Sequence, residues 1–132
     1  MTDADEYVGW RKLREFAGVD LTKSFVLSWH IEARTLMIDV DLFLEPSHPF
    51  YEKPRPAEKI CIRPAIIEFP HCESIRPERD EAKGSLSDIA DALGPGAIDG
   101  LRRFSEGPFE IRGDFGMVRI DSERPLLRLR GP

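Results

Sequence analysis

The run SFVLSWHIEARTLMIDVDLFL, Ser24 to Leu44, decides the fold. Phe25, Leu27, Trp29 and Ile31 alternate with Val26, Ser28, His30 and Glu32. Leu36, Ile38, Val40, Leu42 and Leu44 then alternate with Met37, Asp39, Asp41 and Phe43. A period of two sends successive side chains to opposite faces of a strand, so the run predicts a β-hairpin. With Glu32-Ala33-Arg34-Thr35 as the connection, Ile31 faces Leu36, Trp29 faces Ile38, Leu27 faces Val40 and Phe25 faces Leu42. A slip of one residue sets each of these against a polar neighbour, which favours the stated register. Each inward side chain stabilises by roughly 1.5–3 kcal/mol when buried. Ordering costs about 1–2 kcal/mol per residue. The hairpin therefore needs a second layer from the rest of the chain.

A chain of 132 residues predicts one globular domain, 1–132, with 41% hydrophobic and 33% charged residues. No apolar run reaches the length of a membrane span, and the acidic start, Met1 to Glu6, is not a secretory signal. Cys61 and Cys72 are read as reduced thiols, which with the acidic start points to a cytoplasmic protein. A net charge of −5 argues against general nucleic-acid binding. The charge is uneven, however: residues 101–132 hold 7 Arg against 5 acids. There is no Asn and no Gln, so turns depend on Gly, Pro, Asp and Ser. Codon preference and heat adaptation both account for that absence, and the former is the simpler.

Around the hairpin, residues 5–17 read as an amphipathic helix with Trp10, Leu13 and Phe16 on one face and Gly18 as its stop. Glu45 to Ala57 is a Pro-rich extended loop. Lys59 to Phe69 is a third strand, its Arg63-Pro64 step marking a bulge or an edge. Glu73 to Gly84 reads as a mobile surface loop, and Ser85 to Leu93 as a short helix capped by Ser85 or Ser87. Ile98 to Phe104 is a strand, and Phe109 and Ile111 pair with Ile120 and Val118 across an Asp114-Phe115 turn. Leu127 and Leu129 are then set opposite Ile120 and Val118. The expected fold is mainly β: an antiparallel sandwich or half-open barrel of six or seven strands, with an N-terminal amphipathic helix and one short helix.

Candidate chemistry gathers in four places. On the outer face of the hairpin, Ser28 lies opposite Asp39 with His30 and Asp41 nearby, groups suited to nucleophilic or general-base chemistry. His30, Asp39 and Asp41 are also metal-ligand types, although their spacing matches no known ligand pattern. The wet face of an antiparallel hairpin ordinarily carries such residues, and that reading is preferred. Cys61, His71 and Cys72 have the residue types but not the spacing of a zinc site. In the Pro-rich loop, Phe50, Tyr51 and Arg55 belong to types enriched at interfaces. The C-terminal register aligns Glu110, Arg119 and Arg128, making Arg119 and Arg128 a possible anion site. Asp114-Phe115-Gly116 copies a kinase triplet, but the chain is too short for that fold.

These observations predict a small soluble cytoplasmic protein-interaction module without catalytic activity. It binds a protein partner or itself, and needs no cofactor, metal, nucleic acid or membrane. The alternative is a hydrolase-like or metal-binding domain using the His30/Asp39/Asp41 face.

Overall fold

The computed structural model describes residues 7–53, 61–78, 84–105 and 107–130. The stripe Trp10, Leu13 and Phe16 is buried as expected, but not on an α-helix. A strand β1 (Tyr7–Gly9) leads into two 3₁₀ turns, Trp10–Lys12 and Arg14–Phe16, with Leu13 extended between them. The three apolar residues are spaced by three, which matches the three residues per turn of a 3₁₀ helix better than the 3.6 of an α-helix. Gly18 follows with φ +77, and a Cβ there would come within 2.9 Å of the His48 backbone, so this turn accepts only glycine.

The first hairpin is present as β2 (Val19–Glu32) and β3 (Thr35–Leu44). Ala33 and Arg34, at φ 49 and 64, form its two-residue turn. Ile31 pairs with Leu36 and Trp29 with Ile38, as the alternation requires. Beyond Ser28 the expected register fails. Leu27 is an extra residue, so Val26 pairs with Val40 and Phe25 with Asp41. The bulge exchanges the faces: Val26 is fully buried, whereas Phe25 and Leu27 are 43% and 46% exposed. A second irregularity lies between Asp20 and Phe25. There the buried Ser24 hydroxyl donates to the Asp20 carbonyl at 2.8 Å and accepts from the Phe43 N–H at 3.0 Å. It thus replaces ladder bonds that the irregularity removes.

Among the described residues nine strands form, not six or seven. The others are β4 (Ile62–Phe69), β5 (Ser74–Pro77), β6 (Gly96–Phe104), β7 (Phe109–Gly113), β8 (Gly116–Asp121) and β9 (Leu126–Leu129). The helix α1 (Leu86–Ala92) has Ser85 as its cap, in a reciprocal pair with Asp88. The antiparallel sheet runs β5-β8-β7-β6-β2-β3-β4-β9, with β1 beside β6. Pro64 sits inside β4, opposite Asp41. Its carbonyl accepts from the Arg130 N–H, so its missing donor faces the end of the β9 ladder and costs no bond to β3.

Two other expectations are overturned. Ser74 to Pro77 is not loop but a strand on β8, because Ile75 is buried while Ser74 and Arg76 both bond to Asp121. Leu127 and Leu129 do not return to β8: the chain bends after Asp121 and β9 pairs with β4, Ile67 against Leu127 and Ala65 against Leu129. Two bent segments therefore run side by side, 62–77 and 116–129. They are held across their bends by Glu73 N–H to Asp121 C=O and Glu123 N–H to Pro70 C=O. The sheet curls, and Phe69 on β4 packs on Phe109 of β7 with ring centroids 5.5 Å apart. The ends of the path do not pair. Among the described residues no helix is long and apolar enough to cross a membrane.

Candidate functional site

The outer face of β2, β3, β4 and β9 holds the first set of sequence-selected residues. Ser28 pairs with Asp39, and its hydroxyl donates to Asp39 Oδ2 at 2.8 Å. His30 Nδ1 lies 3.8 Å from the same oxygen, and its Nε2 is 3.6 Å from Glu32. Arg130 Nη1 approaches Asp39 Oδ1 at 3.9 Å. The carboxylate thus collects the hydroxyl, the imidazole and a guanidinium. Ser28 gives its proton to Asp39 and not to His30, so the nucleophile–imidazole bond of a triad is not made. Asp41 lies on the same face opposite Phe25 and Pro64. Among the described residues no three His, Cys, Asp or Glu side chains gather as a metal site.

Apolar side chains occupy the same face. Strict alternation along β3 sends Met37 and Phe43 outward with Asp39 and Asp41. Ile66, Pro64 and Ile62 on β4 are the partners of Asp39, Asp41 and Phe43, and Glu68 is the partner of Met37. Phe25, Leu27 and the 56% exposed Leu126 complete a band that no described element covers. Lys23 lies over the Phe43 ring, and Arg128 reaches Glu68 at 2.9 Å.

The Pro-rich loop divides its two aromatics. Tyr51 packs against the core, while Phe50 is 65% exposed and leans on the His48 ring. Burial pushes the His48 imidazole below its usual pKa, leaving Nδ1 free of a proton to accept the Phe50 N–H at 3.0 Å. Arg55 lies outside the described residues. Cys61 and Cys72 are both buried and free. The Cys72 thiol is pushed up to about 11, by burial first and then by the Asp121 charge, which makes it a poor nucleophile and ligand at neutral pH.

The expected row of Glu110, Arg119 and Arg128 is broken. Arg119 does pair with Glu110, but its other neighbour is Arg76, and Arg128 stands across the molecule on β9. Around Glu110 the structure assembles a cluster that sequence reading missed. This carboxylate is 1% exposed and meets Arg102 at 2.9 Å, Arg112 at 3.1 Å and Arg119 at 3.5 Å. Arg102 stacks over Tyr7 and Phe104, and Arg119 also lies over Phe104. The only sequence signal was register: once Ile98 to Phe104 is placed beside Phe109 to Gly113, Arg102 falls opposite Glu110. Comparison with family models, with curated proteins and with solved structures finds no match.

Proposed function

We propose that the chain is a single cytoplasmic protein-interaction domain without catalytic activity, and that it binds a second copy of itself through the outer face of β2, β3, β4 and β9. The observation that carries this reading is the uncovered apolar band of Phe25, Leu27, Met37, Phe43, Ile66 and Leu126. Large apolar side chains left exposed together on one face mark protein contact. The charge on the face also has a polarity: Asp20, Asp39 and Asp41 lie on the β2–β3 side, the last two between the apolar residues of β2 and β4, and Arg128 and Arg130 lie on the β9 side. A two-fold axis lying in the interface and parallel to the strands sets the acidic side of each copy against the basic side of the other. The bent segments 62–77 and 116–129, each passing between the halves of the sheet, support reading the fold as a half-open barrel with this face outermost.

Light scattering across a concentration series tests the proposal. The mass rises toward twice the 15.1 kDa of one chain. Ile66→Asp, on the outer face, holds the chain monomeric without lowering its melting temperature. A parent protein that stays monomeric at every concentration, or an Ile66→Asp variant that still dimerises, overturns the reading.

A further inference from the structure

On the opposite half of the sheet, beside the Glu110 cluster, lies a cavity of about 210 Å³. Its walls include Tyr7 and Trp10 from the N-terminal segment, Arg102 from β6, and Arg112 and Glu110 from β7. Two glycines, Gly9 and Gly100, line it as well. Neither has a positive φ, and a Cβ built on either meets nothing within 4 Å. Backbone conformation and close packing therefore do not require glycine at these positions. What the missing side chains leave is room in the cavity.

The charge of this region is unbalanced. Three guanidiniums share one buried carboxylate, and among the described residues no second carboxylate pairs with Arg102, Arg112 or Arg119. Among the described residues the cluster is left with two positive charges, one at the cavity wall on Arg102 and Arg112 and one on the adjoining Arg119, in a chain whose net charge is −5. Glu110 engages Nε and Nη2 of Arg102 and Nε of Arg112, so each of these guanidiniums retains further N–H donors. The Nε of Arg119 is enclosed with no acceptor. The aromatic stacking of Arg102 on Tyr7 and Phe104 holds its planar fork in place.

We propose that this cavity binds a phosphate monoester. A phosphate monoester carries about −1.5 to −2 charges at neutral pH, which matches the surplus, and its oxygens suit paired guanidinium donors. Of the two aromatic walls, the exposed Tyr7 offers apolar surface to whatever bears the phosphate, and the buried Trp10 backs the cavity. The site is separate from the apolar face assigned to self-association, and occupancy of one does not require the other.

Titration of the full chain with phenyl phosphate, with inorganic phosphate and with sodium chloride at matched ionic strength tests the site. Calorimetry gives the affinity, and tryptophan emission, read in a Trp29→Phe background, reports on Trp10. Saturable binding of phenyl phosphate is expected, about tenfold or more weakened in Gly100→Val and in Arg112→Ala. Inorganic phosphate binding as tightly identifies the free anion as the ligand; a clear preference for phenyl phosphate identifies a phosphate carried on an aromatic group. If Gly100→Val does not fold, Arg112→Ala, on an exposed side chain, decides. A chain that responds to phenyl phosphate no more than to chloride overturns the proposal, as does binding that survives unweakened in every variant that folds.

Discussion

At the scale of single residues, the chain replaces missing backbone partners with short side chains. Ser24 serves two main-chain groups at once, the Asp20 carbonyl and the Phe43 N–H, at a buried position where β2 departs from its ladder. Thr22 and Asp20 close the neighbouring turn, with the Thr22 hydroxyl and N–H both donating to Asp20 Oδ1. Replacing Ser24 by alanine strands both groups away from water. We expect Ser24→Ala to lose about 1–3 kcal/mol in urea unfolding. A Ser24→Ala protein as stable as the parent shows that the hydroxyl carries no such role. None of this was legible in the sequence, because a lone Ser in an alternating run looks like any solvent-facing strand residue. Glu110 was legible in part: its pairing with Arg119 follows from the β7–β8 register, but alternation marks it as outward and gives no sign that three arginines bury it.

At the scale of elements, alternation and turn chemistry carried most of the reading. The β2–β3 turn, the β7–β8 hairpin closing Gly113 on Gly116, and the Ser85 cap all stand where local pattern put them. Failures came where one residue changed the phase. Leu27 shifts β2 by one position, and strict alternation then assigns Phe25 to the wrong face. The N-terminal stripe kept its burial but lost its helix, since spacing by three suits 3₁₀ turns. Long-range pairing was illegible: nothing local tells β9 to leave β8 for β4. The N-terminal segment owes its position to such a distant contact. Arg124, in the bend before β9, makes two hydrogen bonds to Glu15, at 2.6 and 2.8 Å. The Arg124 bond holds the Glu15 carboxyl below its usual pKa. The ion pair therefore stabilises the fold above the ordinary glutamate value of 4.5, and that contribution is lost as pH falls through the lowered pKa. Melting curves of the parent and Glu15→Gln are expected to differ at neutral pH and to converge in acid. A constant gap between them contradicts this assignment.

At the scale of the whole molecule, two outer faces of one curled sheet carry different chemistry. The β2-β3-β4-β9 face mixes exposed apolar side chains with a polarised set of charges, and the β6-β7-β8 face is cationic around a buried carboxylate. The first of these faces exists because the bulge turns Phe25 and Leu27 out and Val26 in. Urea unfolding of Val26→Ala and Leu27→Ala, compared side by side, tests that arrangement most directly. With Val26 at 0% exposure and Leu27 at 46%, Val26→Ala is expected to lose about 2 kcal/mol and Leu27→Ala less than about 0.5 kcal/mol. The reverse order, with Leu27→Ala the more damaging, would place Leu27 in the core and remove the binding face.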